Sequence, residues 1–245
     1  VDRAPLPLLP SRPVDFPDPH QARDVPDGLL AAGGALSAEW LIEAYAVGVF
    51  PWFDPEDEYI LWWSPSQRAV LIPGQMRITR SLRKRARNGN FKVSTDQAFD
   101  RVIAACAGPR RDAQGTWITP DMIEAYSTLH ALGYAHSVEI WHEDTLVGGL
   151  YGLALGRMFF GESMFSRVPD ASKIAFMHLQ YALLESGFEL IDCQMMNPHL
   201  QSLGVAEVPR AQFLEALRQN PRAPSEHNIW RLAPRSITLP TTEEG

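Results

Sequence analysis

The sequence predicts an α+β protein in two parts: a small N-terminal α+β domain over residues 1–105, packed on a C-terminal part over 106–245 that is built on a mixed sheet with flanking helices. Three observations predict it. Hydrophobic residues fill 45% of the 245 positions and charged ones 21%, enough to bury one large core or two smaller ones and too apolar for a disordered chain. Stretches with helical spacing of apolar residues alternate with stretches of strand character, and no internal repeat is present. The run "SVEIWHEDTLVGGLYGLALGRMFFGESMF" reads as a three-stranded meander, with turns near Glu143–Asp144 and Gly156–Arg157, lying between two helices.

Residues 1–27 are rich in proline and poor in periodicity, and read as an extended arm. "SAEWLIEAYAVG" follows as a helix, with Ser37 as its N-cap and Gly48 as its stop. The aromatic, proline-dense run from Phe50 to Gly74 reads as short strands and loops, "AVLIP" being its clearest strand. Next, Arg77, Arg80, Arg83, Lys84, Arg85 and Arg87 crowd into a few turns, and Arg80, Arg83, Lys84 and Arg87 share one helical face. "TDQAFDRVIAACAG" is a second helix with Phe99, Val102, Ile103 and Cys106 inward, and 108–115 is a loop.

"ITPDMIEAYSTLHALG" has full helical punctuation: Thr119 as cap, Pro120 in the first turn, Gly133 at the end, and Met122, Tyr126 and Leu129 inward. After the meander, "DASKIAFMHLQYALLESG" is a helix, "FELIDCQ" a strand and "PRAQFLEALRQ" a last helix, with a mostly irregular tail from about residue 223. Helix, antiparallel meander, helix, strand is the element order of an N-acetyltransferase-like (GNAT-type) core, an analogy that bears on fold more than on function.

The net charge of −7 argues against nonspecific coating of nucleic acid but leaves room for the local basic patch. Cys106 and Cys193 follow no metal-ligand spacing and read as reduced thiols filling the core of a cytoplasmic protein. No apolar stretch is long enough to span a membrane, and the N-terminus lacks the apolar block of a signal peptide.

Chemistry is suggested by polar residues in apolar company. In "FELIDCQ" strand alternation puts Asp192 and Gln194 on one face, about 6–7 Å apart, where they either share a cleft or cap a loop at a strand end. Glu162 follows Phe159, Phe160 and Gly161, so it needs a cation or several donors. Either a substrate ammonium or a structural arginine would serve. The Gly161 backbone allows close approach of a ligand. The basic stretch is a solvated helix face or a phosphate track. Trp52 and Trp117 lie in Pro- or Gly-flanked segments, where an aromatic ring can stack on a base.

Long motifs in a fixed order then resemble the bacterial leucyl/phenylalanyl-tRNA–protein transferase family. They include "GLLAAGGALS", "AYAVGVFPWF", "ILWWSPSQRAVL", "GTWIT", "LVGGLYG", "FFGESMFSRVPDASK" and "LIDCQMMNPHLQSLG". The resemblance covers about residues 14–220. It implies an aminoacyltransferase that moves Leu or Phe, with Met as a further donor, from aminoacyl-tRNA to the α-amine of proteins beginning with Lys or Arg, marking them for N-degron degradation. It implies a monomeric cytoplasmic enzyme with no metal and no cofactor, because the aminoacyl ester already carries the driving force. By the same resemblance Asp192, Gln194 and Glu162 are catalytic. Leu150, Phe159, Gly161, Met164, Phe176, Met177, Leu179 and Ile191 form the side-chain pocket. Trp52 and Trp117 hold the terminal adenosine, and Arg80, Arg83, Lys84 and Arg87 track the acceptor-stem phosphates. Two rivals are a coenzyme-A-dependent N-acetyltransferase and a noncatalytic binder of tRNA ends or basic N-termini. The first expects a Gly-rich turn before its helix, where this chain has "SRVPDASK".

Overall fold

A computed structural model describes residues 5–108, 117–224 and 228–238. The loop expected at 108–115 falls almost wholly outside them.

Two sheets organise the chain. The smaller has the order β1-β2-β4-β3 and is made of β1 (Leu8–Leu9), β2 (Leu29–Gly33), β3 (Phe50–Pro51) and β4 (Leu61–Trp63). Between β2 and β3 runs α1 (Ala38–Ala46), where the Ser37 side chain accepts from the Trp40 N–H as predicted. Gly48 follows at φ +83°, where any Cβ would strike Leu214 and a left-handed backbone favours glycine. Trp40 stacks on Trp62, and Phe16 meets both rings edge-on. The proline-rich arm is therefore not free: Phe16 sits in this core and β1 pairs in parallel with β2.

The larger sheet has eight strands in the order β11-β5-β10-β9-β8-β7-β6-β12. They are β5 (Gln67–Leu71), β6 (Phe91–Thr95), β7 (Ala135–His142), β8 (Thr145–Leu155), β9 (Met158–Ser166), β10 (Leu190–Asp192), β11 (Ala206–Pro209) and β12 (Arg235–Ser236). The meander is β7-β8-β9, with turns where the sequence placed them. β10 runs parallel to β9 and antiparallel to β5, so the sheet is mixed.

The helices are α2 (Arg80–Asn88), α3 (Phe99–Cys106), α4 (Pro120–Ala131), α5 (Ala171–Glu185), α6 (Pro198–Ser202) and α7 (Arg210–Arg218). Side chains of α1, α3, α4 and α7 form one buried cluster; those of α2, α5 and α6 form the other. Tyr151 of β8 belongs to the first and Leu150 to the second, as alternation across a strand requires. The molecule is thus helices on both faces of one sheet, with the small sheet adding to the first cluster.

β5 and β6 precede residue 105 yet pair with strands that follow it. The tail is also more ordered than its composition suggested. Trp230 is buried and stacks on His136 with ring centroids 4.1 Å apart, and β12 extends the sheet beside β6.

Candidate active site

The strand carrying Asp192 is shorter than predicted. β10 ends at Asp192, and Gln194 sits beyond it at φ +63°, a left-handed conformation that costs a non-glycine residue about 1–3 kcal/mol. The shared strand face expected for Asp192 and Gln194 does not exist. Asp192 turns into the interior, fully buried, and grips Arg68: Nε–Oδ1 is 2.8 Å and Nη2–Oδ2 is 2.7 Å. Such a fork-to-fork pair is the strong form of the contact. Arg68 is itself buried on β5, donates to the Gly48 carbonyl at 3.1 Å and lies between the rings of Phe50 and Phe213.

This pair fixes Gln194. Asp192 Oδ1 also accepts the Gln194 backbone N–H at 2.9 Å, and the Gln194 carbonyl accepts from Ala69 N–H at 3.0 Å. These bonds hold the left-handed turn in place. The side chain then donates from Nε2 to Glu162 Oε1 at 2.6 Å.

Glu162 lies half-buried on β9, just past the Phe159–Phe160 apolar pair, where the pairing of β9 with β10 ends. Its several donors are protein groups: the Tyr45 hydroxyl reaches Oε1 at 2.5 Å and the Tyr126 hydroxyl reaches Oε2 at 3.0 Å. The two hydroxyls also lie 2.6 Å apart. Burial pushes the Glu162 carboxyl up to about 8, with the tyrosine bonds opposing and the Asp192 charge adding to the rise. The same burial, with the Glu162 charge, pushes both tyrosines well above their ordinary value.

That shift has a consequence for stability. Below pH 4.5 the group is protonated whether folded or unfolded. Between 4.5 and about 8 the unfolded chain ionises first, so this group lowers stability as pH rises through the window. Urea unfolding of wild type and Glu162→Gln should therefore show the difference moving in favour of the glutamine variant from about pH 5 to about pH 8. A difference that stays flat contradicts the raised carboxyl.

Gln194 and Glu162 open onto a cavity of about 610 Å³, within the range of small-molecule sites. Of the eight positions expected to form its pocket, Leu150, Phe159, Gly161, Met164, Phe176 and Leu179 line it. Met177 and Ile191 do not; both are fully buried in the cluster behind the wall. Trp52 and Trp117 line the cavity too, with Trp52 partly exposed and edge-on to Trp63. Arg80, Arg83, Lys84 and Arg87 lie elsewhere, on the outer face of α2, while Leu82 and Ala86 hold its inner face to the core.

Sequence reasoning missed Arg68, Tyr45 as a site residue, and the cavity wall contributed by Ser172, Asn197 and His199. Arg68 had a signal: a lone cation at the head of an apolar strand answers a lone acid in another. Cys193 also lines the cavity, but burial and the Asp192 charge push its thiol up, which keeps it from acting as a thiolate. Asp96, His130 and His136 approach one another closely. Their groups are already used: His136 bridges Asp96 and the Gly133 carbonyl, and His130 Nδ1 meets the Ala135 carbonyl. Both rings are stacked, on Trp230 and Phe99. This is a structural cluster.

A mixed α+β sheet opens onto an apolar cavity with a carboxamide held at its rim, and comparison with known families puts the chain among the aminoacyltransferases. Within that class the chain belongs to the leucyl/phenylalanyl-tRNA protein transferase family. The family model matches residues 70–218 and that of its N-terminal domain matches residues 34–66. A leucyl/phenylalanyl-tRNA–protein transferase of Aromatoleum aromaticum is 59% identical over 86% of this chain and 89% of its own length. One from Nitrosospira multiformis is 58% identical over 83% and 88%. Among solved structures, L-PGS from Bacillus licheniformis overlaps at a TM-score of 0.38 with 12% identity, covering 61% of this chain and 48% of its own. A GCN5-related N-acetyltransferase from Kribbella flavida overlaps at 0.37 with 12% identity, covering 71% and 60%. Among the described residues no helix is long and apolar enough to cross a membrane.

Proposed function

We propose that the cavity at Gln194 is where leucine or phenylalanine passes from aminoacyl-tRNA to the N-terminal amine of an acceptor protein. The activity itself follows from the family: the chain is an aminoacyltransferase, with aminoacyl-tRNA as donor and a protein as acceptor. The observation that carries the siting is the meeting, in one cavity, of an apolar end, two tryptophans and a fixed carboxamide.

The Leu or Phe side chain enters between Leu150, Phe159, Phe176 and Leu179, while Gly161, with no side chain, leaves room beside β9. A pocket of this shape disfavours β-branched Ile and Val, and one misplaced methyl is worth only about 1–3 kcal/mol. Trp52 and Trp117 stack on the terminal adenine. The cations of α2 track the acceptor-stem phosphates, a contact confined to one end of the tRNA and compatible with an acidic protein.

The reaction is aminolysis. The acceptor nitrogen attacks the ester carbonyl, a C–N bond forms, the bond to the ribose oxygen breaks, and the proton shed by nitrogen ends on that oxygen. An α-amine has a pKa of about 7.7–8.0, so part of it is neutral at cell pH and no strong base is required. The Gln194 oxygen accepts from the attacking amine and orients it. Asp192 acts through Gln194, as a positioning residue. Burial favours the protonated form of Glu162, and an ammonium of the substrate beside it favours the carboxylate. The acceptors are proteins that begin with Lys or Arg, the enzyme works as a monomer in the cytoplasm, and its product is an N-degron.

Transfer from Phe-tRNA to peptides led by Lys, Arg or Asp tests this reading. Lys and Arg peptides are extended and the Asp peptide is not. Arg80→Glu with Lys84→Glu raises the KM for tRNA, steeply so at low salt, and leaves the peptide KM unchanged. An effect on the peptide alone removes α2 from the tRNA path.

A further inference from the structure

We infer that His199 hydrogen-bonds the ribose–phosphate of the donor tRNA's terminal nucleotides, through the ring nitrogen Nε2 that faces no protein partner. The inference rests on the reading that the cavity is the transfer site.

His199 is the second residue of α6, and its placement is rigid. The Asn197 side chain caps the helix by accepting from the Leu200 N–H at 2.9 Å, and Pro198 occupies the first turn. The ring lines the same cavity as Gln194 and Phe176. Its Nε2 is shut off from solvent and has no hydrogen-bond partner among the described residues. A buried polar nitrogen left unpaired is costly and calls for an explanation. The supporting electrostatics agree: burial and the nearby Lys173 charge lower the ring's affinity for a second proton. A neutral imidazole offers one donor and one acceptor, which suits a ribose hydroxyl or a phosphate oxygen.

The direction of α6 selects the donor over the acceptor. At the end of α6 Leu203 is buried with Met76, Leu82 and Ala86, and its carbonyl accepts from Arg77 N–H at 2.8 Å. The short helix thus spans from the cavity to the foot of basic α2. With the apolar wall taken by the aminoacyl side chain and the two tryptophans by the base, the sugar–phosphate is the part of the donor left to run along this side. Lys173 and the α2 cations attract a phosphate there and repel an acceptor that begins with Lys or Arg.

The test is steady-state transfer from Phe-tRNA to a Lys-led peptide, varying each substrate with the other saturating. The proteins are wild type, His199→Phe, His199→Gln and Gln194→Ala. The phenylalanine variant fills the ring's space without its nitrogens and should raise the KM for Phe-tRNA about tenfold, the equivalent of ~1.4 kcal/mol. The peptide KM should not move. His199→Gln, whose amide reaches the same point, should recover most of the loss; if His199→Phe folds poorly, His199→Ala takes its place and should show the same rise in the KM for Phe-tRNA. A rise in the peptide KM alone assigns the ring to the acceptor and overturns the inference, as does no change in either KM. If Gln194→Ala also transfers normally, the fault lies with the siting of the reaction in this cavity.

Discussion

Arg68→Ala is expected to lower the free energy of unfolding by about 3–5 kcal/mol and to abolish measurable transfer with it. The guanidinium is the buried counter-charge of Asp192 and joins that carboxylate by two bonds. Removing it strands a charge in a site walled by Phe50 and Phe213. Domains of this kind are stable by only about 5–15 kcal/mol, so the loss is a large part of the whole and will appear as a much lower urea midpoint. A double variant separates stability from function. Arg68→Met with Asp192→Leu replaces the pair by apolar side chains, an exchange that is often neutral or stabilising. Its urea midpoint should return close to wild type. Transfer should not return, because the Gln194 N–H has lost its acceptor and the left-handed turn its anchor. Recovery of both together would mean that the carboxylate serves stability alone.

Gln194→Ala should lower kcat by about a hundredfold, the scale of a displaced reacting group, with small changes in both KM values. Its stability should stay close to wild type, since the turn is held by backbone bonds to Asp192 and Ala69 that the variant retains. Single-turnover transfer separates this from slow product release: the chemical step itself must slow. A variant with normal kcat and a raised KM for tRNA would recast Gln194 as a donor-binding group.

Much of this architecture could be read in advance where local chemistry decides it. α1 and α4 carry capping side chains at Ser37 and Thr119, and the β7–β8–β9 meander has its turn residues where strand character changes. The small sheet was not legible, because strands of two to five residues carry too little alternation and their pairing is long-range. α6 has only five residues, too few for a helical period. The tail's docking sets Trp230 on His136 and pairs β12 with β6, contacts between distant parts of the chain that no local pattern announces.

The site divides in the same way. Glu162 and Asp192 stood out because charge is unexpected in apolar runs, but strand alternation misdirected Asp192 once β10 ended there. The pocket positions came from family resemblance. Six of the eight line the cavity; Met177 and Ile191 do not, and both are fully buried. The tyrosines that hold Glu162 lie on helices whose inward stripes looked like ordinary core. Their role needs three distant segments to be seen together.

The most direct measurement is a crystal structure of the protein with a nonhydrolysable phenylalanyl-adenosine. The account predicts the phenyl ring among Leu150, Phe159, Phe176 and Leu179, the adenine between Trp52 and Trp117, and the acyl carbon beside the Gln194 carboxamide. Density for the ligand outside this cavity, or inside it with the acyl carbon turned away from Gln194, would contradict it.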